Sequence, residues 1–178
     1  MTTRNLIVYG MALLASIACF TSCAQTKAVP PSGNAVCSIV NEDFCFAIDQ
    51  EDEAALTIPI DFALYTVTLA DKQKILIYYG TAPDYPADSV KPLLTRTSGS
   101  ETITLYKQSA DNSNTLDAFY AKKRDKFTMV VHIRSSYKAS EKEGFAVFLN
   151  SFRKCDSARK DLIECKSEKI FPDIAKIL

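Results

Sequence analysis

The sequence predicts an α+β fold: an antiparallel β-sheet with C-terminal helices packed on one face, stapled by disulfides. Strand-like alternation of apolar residues recurs from Phe44 to Arg134. The clearest helical periodicity comes only afterwards, from Ser140. There are no alternating β-α units and no internal repeats, and strands followed by helices argue for α+β rather than a parallel α/β sheet.

The elements follow in order. Phe44, Phe46 and Ile48 alternate with Cys45 and Ala47, which predicts a strand with one buried face. Asp49 to Glu53, "DQEDE", reads as a solvated acidic loop. In "LTIPIDFALYTVTLADKQKILIYYG", Ile60, Phe62 and Leu64 hold one alternation phase, and Tyr65, Val67 and Leu69 hold the other. A one-residue change of phase marks a bulge or a break. Pro59 suits a strand start or an edge. Ala70 to Gln73 is a polar turn and Ile75 to Tyr79 a second β-rich run, so this stretch is a hairpin.

Residues 80–100 hold Pro83, Pro86, Pro92 and Gly99, and read as a long loop or several turns. Thr102 to Lys107 is a strand candidate, "QSADNSN" a polar loop, and Leu116 to Lys123 either a short helix or the partner strand. In "KFTMVVHIR", Phe127, Met129, Val131 and Ile133 share one face. The helix is placed with Ser140 as N-cap and Glu143 three residues later, a capping box. Phe145, Phe148, Leu149 and Phe152 then form one apolar stripe, which Cys155 continues. Burying that stripe would contribute roughly 6–12 kcal/mol before entropy costs, so it reads as core. Leu162, Ile163 and "FPDIAKIL" suggest further short helices.

The N-terminus carries Arg4, and the first acidic residue is Glu42. Leu6 to Phe20 is almost wholly apolar, yet shorter than the ~20 residues that span a bilayer. A charged start, a short apolar core and small residues at its end form a secretory signal. Both "SIAC" and "FTSC" resemble the lipobox of bacterial lipoproteins, in which a small residue precedes a cysteine that is acylated and becomes the new N-terminus. Ala18 makes Cys19 the closer match, but lipidating Cys19 would leave Cys23 as an odd thiol. Lipidation at Cys23 removes Cys19 with the signal and leaves an even set. The resemblance therefore implies a lipid on Cys23, with residues 1–22 as signal peptide, 23–35 as a tether and 36–178 as a single α+β domain. Such a protein would be a bacterial outer- or inner-membrane lipoprotein facing the periplasm. An ordinary cut after Ala24 would instead yield a soluble periplasmic or secreted protein.

The remaining cysteines are Cys37, Cys45, Cys155 and Cys165. In an exported chain they read as two disulfides. Local pairing would close two short loops for roughly 2–3 kcal/mol each, and crossed pairing would join the chain's two ends for about 4–5 kcal/mol. Both remain open on sequence. Neither spacing is that of a zinc knuckle, and the only histidine, His132, lies far from both pairs. No metal or other cofactor is expected.

A formal net charge of +0 removes the electrostatic case for nucleic acid. His132 has no evident catalytic partner, "SGS" at 98–100 lacks the pattern of a nucleophile elbow, and "DNSNTLD" lacks a calcium loop's glycine and closing glutamate. Two features point to recognition. Asp49, Glu51, Asp52 and Glu53 belong to an acidic run, while Lys122, Lys123, Arg124 and Lys126 form a separate basic cluster, and separated charges can steer a partner. Tyr78, Tyr79 and Tyr85 surround a Gly/Pro-rich loop and are the candidate aromatic anchors. The expected function is a small envelope-anchored binding module with a protein partner in the cell envelope and a membrane link through its lipid. An immunity-type inhibitor that neutralises a toxin by binding is the specific version. A periplasmic hydrolase using carboxylates and an accessory subunit of an envelope complex are the alternatives.

Overall fold

The computed structural model describes residues 37–110, 112–159 and 162–178. The expected signal, the lipidation site Cys23 and the tether lie outside the described residues.

Seven strands form one antiparallel sheet: β3 (Glu53–Thr57), β4 (Ala63–Thr68), β5 (Lys74–Gly80), β6 (Leu94–Ser98), β7 (Glu101–Ala110), β8 (Ser113–Lys123) and β9 (Thr128–Tyr137). Their spatial order is β3-β4-β5-β9-β8-β7-β6. Cross-strand partners place Leu56, Tyr65, Ile77, Ile133, Ala118, Leu105 and Leu94 in one row, one residue from each strand. Every member of that row is apolar or aromatic. A one-residue slip at any strand would turn its whole apolar set away from the core, so the pattern pins the register.

A smaller antiparallel sheet has the order β1-β2-β10-β11. It joins β1 (Ile39–Val40) and β2 (Phe44–Phe46) to the hairpin β10 (Arg153–Arg159) and β11 (Leu162–Lys169). Between β9 and β10 lie a 3-10 turn (Ala139–Glu141) and helix α1 (Lys142–Asn150). The chain ends in α2 (Ile174–Ile177). One core cluster lies between the layers: Phe44 and Phe46 of β2, Phe145, Phe148 and Leu149 of α1, Phe152, and Ile170, Phe171 and Ile174 all pack with the inner face of the large sheet.

The fold is therefore mostly antiparallel β with few helices. The expectation of a helix around Leu162 and Ile163 is corrected by the β10–β11 hairpin, whereas "FPDIAKIL" does hold the short helix α2. Residues 153–169 carry no clear apolar period of their own. Arg153–Arg159 and Leu162–Lys169 are held extended by pairing with β2 and by the register Cys155↔Cys165. Cys155 accordingly belongs to β10 and does not extend the α1 stripe. Helix α1 itself stands where the Phe145–Phe152 stripe predicts it. Its N-cap is Glu141 rather than Ser140, and the capping box closes the 3-10 turn ahead of it: Glu141, not Glu143, folds back so that its Oε2 accepts the Lys138 N–H at 2.8 Å.

Other expectations shift in detail. The change of phase near Ile60 is a complete break, with Pro59 in the connection between β3 and β4. "DQEDE" is a loop only to Asp52, since Glu53 opens β3. Of "QSADNSN", the first three residues close β7 at Ala110 and the last two open β8 at Ser113. Leu116 to Lys123 is strand, decided by pairing on both sides with β7 and β9. Cys45 is as buried as its neighbours Phe44 and Phe46, so β2 has no solvent face.

The cysteines pair locally, Cys37–Cys45 and Cys155–Cys165. The two bridges pack against each other with Val40 and Ile163 in a second small cluster. Thiol titration of the denatured, unreduced domain is expected to find no free thiol among the four. Replacing both Cys155 and Cys165 with serine should cost roughly 2–3 kcal/mol in a urea melt, the scale for so short a loop. An unchanged midpoint would show that this bridge constrains little.

Candidate functional site

The two ends of the large sheet differ in chemistry. At one end the turn Asp49–Asp52, the β4–β5 turn and helix α1 converge. Asp52 organises the junction: its Oδ2 accepts the Asp49 N–H at 2.9 Å and its Oδ1 accepts the Ala70 N–H at 3.0 Å. Lys72 holds a left-handed φ of 71° in the β4–β5 turn, and Asp71 Oδ1 accepts the Gln73 N–H at 2.9 Å. These contacts frame a groove of about 350 Å³ rimmed by Asp49, Asp52, Asp71 and Glu143 and floored by Leu69, Val147 and Phe148. No lysine or arginine lines it among the described residues. Val147 is 64% exposed on this floor.

Asp49 and Asp52 come from the acidic run singled out in the sequence. Glu51 and Glu53 are exposed beside them, outside the groove lining. Asp71 and Glu143 are brought in from other elements. Nothing in the sequence signals that Glu143 completes this rim, because it lies more than ninety positions from Asp49 and its local context reads as helix capping.

The opposite end is built from the β3–β4 loop and the β8–β9 hairpin tip, which line a cleft of about 430 Å³. Ile58, Ile60 and Phe127 project from these two loops with exposures of 71%, 106% and 48%. Asp43, only 2% exposed, supports the cleft wall from beneath. It accepts the Tyr79 hydroxyl at 2.6 Å, Arg124 Nη2 at 2.7 and 2.8 Å, and an ion pair from Lys122 Nζ at 3.2 Å. Burial alone would raise the Asp43 pKa, but the hydrogen bonds from Tyr79, Arg124 and Lys122 outweigh it and hold the carboxyl below its ordinary value. The Tyr79 hydroxyl is pushed well above the ordinary tyrosine range by burial and by Asp43, so it is a permanent donor. Lys122 also reaches Asp156 at 2.7 Å. Hydrogen bonds from Lys122 and Lys166 bring the Asp156 pKa down to about 2. Part of the basic cluster is thus spent on holding the small sheet to the large one.

The three tyrosines divide. Tyr79 is core, its hydroxyl taken by Asp43. Tyr78 points to the other face of β5, where its hydroxyl accepts the Ala82 N–H at 3.0 Å and its ring packs on Phe62. Tyr85 is 53% exposed. Its ring stacks on Phe119 at 4.7 Å, and Phe119 stacks on His132 at 4.1 Å. The loop after β5 therefore crosses the outer face of the sheet and shields His132. Beneath it, His132 Nε2 lies 2.8 Å from Oδ1 of the buried Asp117, with Arg134 Nε 3.5 Å from the same oxygen. This supplies the partner that the sequence did not reveal. The pair could orient an imidazole as a base, but among the described residues no hydroxyl or thiol hydrogen-bonds to His132.

No helix among the described residues is long and apolar enough to cross a membrane. Neither a family model, nor a curated protein, nor a solved structure matches the chain.

Proposed function

We propose that the protein is an envelope-anchored, periplasm-facing binding module that takes a basic, partly apolar segment of a protein partner into the acidic groove. An immunity-type inhibitor, which neutralises a toxin by occupying its surface, is the form that best fits a small exported domain. The single observation behind this reading is the groove rim: Asp49, Asp52, Asp71 and Glu143 have no salt-bridge partner among the described residues, and they surround an apolar floor. Elsewhere the carboxylates of Asp43, Asp117 and Asp156 are matched by cations. Unmatched carboxylates around an apolar floor complement a cationic side chain with an aliphatic stem.

Affinity capture from envelope extracts, with the wild-type domain compared against the variant D49N/D52N/D71N/E143Q, tests this. A specific partner should be recovered by the wild type and lost from the variant. Its association rate should fall at least about tenfold in the variant, with most of the wild-type advantage disappearing in high salt. A partner recovered equally well by the variant would sink the reading. His132→Gln should leave capture unchanged, since His132 lies beneath Tyr85 and Phe119 on another face.

A further inference from the structure

We infer that the end opposite the acidic groove, the tip formed by Ile58, Ile60 and Phe127, docks on the lipid bilayer and orients the domain with its groove outward. Ile60 is 106% exposed and Ile58 71% exposed, on a loop that makes no use of either side chain in the core. Phe127 projects beside them from the β8–β9 hairpin tip and lines the same cleft. Three apolar side chains at the tips of neighbouring loops can enter the headgroup boundary without unfolding anything. Lys123 and Lys126 flank Phe127, are exposed, and have no ion-pair partner among the described residues. Lysines placed beside an apolar tip snorkel to lipid phosphates while their stems stay with the acyl boundary.

Charge then selects the orientation. Glu42, Asp61 and Asp125 lie near the apolar tip, so that end is close to neutral and its apolar side chains supply most of the attraction. The other end carries Asp49, Glu51, Asp52, Glu53, Asp71, Glu141 and Glu143 against Lys72, Lys74, Lys138 and Lys142, so it keeps an acidic excess that an anionic leaflet repels. The two ends are separated by the length of β4, roughly 20 Å. Chain length outside the structure keeps the tip within reach. Between the expected lipidation site Cys23 and Cys37, residues 24–36 extend to at most roughly 45 Å, little more than the ~36 Å length of β8. The orientation therefore rests on the anchored reading, whereas the affinity of the tip for lipid does not. Weak insertion suffices in a chain already tethered, since the second contact is intramolecular.

A chain starting at Gln25 retains every described residue of both core clusters and carries no lipid. Its partition onto phosphatidylcholine vesicles containing phosphatidylglycerol, followed by co-sedimentation up to millimolar lipid, tests the tip directly. Wild type should bind, and the variant I60S/F127S should lose at least about tenfold in partition, given the apolar area removed. Both side chains are exposed, so the variant should fold with an unchanged circular dichroism spectrum. Val147→Ser, which removes an exposed apolar side chain at the other end, should bind as wild type does. K123Q/K126Q should lose several-fold on the anionic vesicles and little on pure phosphatidylcholine. D49N/D52N should leave vesicle binding intact, which separates this inference from the groove reading. Wild type that ignores vesicles at every lipid concentration, or I60S/F127S that binds as well as wild type, would overturn it.

Discussion

Phe152→Ala is expected to lower the stability of the domain by roughly 3–5 kcal/mol, the range for truncating a fully buried phenylalanine. Phe152 has 0% exposure, and its ring lies 5.0 Å from that of Phe46, 5.4 Å from Phe148, 5.9 Å from Phe171 and 6.0 Å from Phe44. Those four rings belong to β2, α1 and the C-terminal segment. Phe152 is therefore the point where three elements that do not otherwise share a sheet are packed onto one another. Its removal leaves a cavity bounded by rigid rings, which collapse poorly to fill it. Against a total stability of about 5–15 kcal/mol typical of domains, the loss would leave the variant marginal. Equilibrium urea unfolding gives the number, with Phe127→Ala, an exposed ring, as a control expected to stay within about 0.5 kcal/mol. A Phe152→Ala loss below 1 kcal/mol would mean that the small sheet and helix are held by something other than this aromatic junction.

Asp43→Ala should be the costliest polar substitution, at about 3 kcal/mol, the lower part of the range for breaking a buried ion pair. It removes the acceptor for Tyr79, Arg124 and Lys122 at once. The loss is limited because Arg124 is 34% exposed and can turn to water, and Lys122 keeps Asp156. The same groups set the acid response. Asp43, Glu101 and Asp156 all have lowered pKa values in the fold. Burial opposes the shift at Asp43 and Glu101 and is outweighed by hydrogen bonds from Tyr79, Arg124 and Lys122 at the first, and from Lys154 and Tyr120 at the second. A lowered folded-state pKa contributes stability that is present above the unfolded value and is lost as pH falls through the folded one. Stability should thus begin to decline as pH falls through 4.5, the ordinary glutamate value, and 3.8, the ordinary aspartate value, and go on falling to about 2, where Asp156 titrates. Urea midpoints measured between pH 2 and 6 should show this fall, with a shallower slope in Asp43→Ala. An identical slope in the variant would show that Asp43 does not carry its share of the acid dependence.

Much of the large sheet was legible because its strands alternate. Tyr65, Val67, Ile75 and Ile77 mark β4 and β5 by period alone, and the turn between them is polar. Helix α1 was legible for the same reason at another period. The acidic groove was half legible: Asp49 and Asp52 stand in a conspicuous run, whereas Asp71 sits in an ordinary turn and Glu143 in an ordinary helix. The apolar tip was hidden differently. Ile60 and Phe127 belong to alternating runs that read as strand, and Ile58 carries no signal of its own; only the break at Pro59 and the position of the hairpin tip leave all three exposed. His132 was misjudged through its neighbours in sequence, since its partner Asp117 is supplied across strands by β8.

By itself the sequence determined the presence of an antiparallel sheet with its β4, β5 and β9 strands, the position of the α1 stripe and the cysteines available for two bridges, because each rests on local period or composition. It also carries, in its first residues, the features of an exported and lipidated chain, which remain an expectation. Only the tertiary structure decided the rest. It chose local over crossed disulfides, paired Arg153–Arg159 with Leu162–Lys169 as strands beside β2, and sorted Tyr79 into the core and Tyr85 onto the surface. It also gathered Asp49, Asp52, Asp71 and Glu143 around one groove. The reason is the same in each case. Residues such as 153–169 have weak local preferences, and the free energy that settles them comes from contacts with partners far away in the chain, where no spacing along the sequence records the distance.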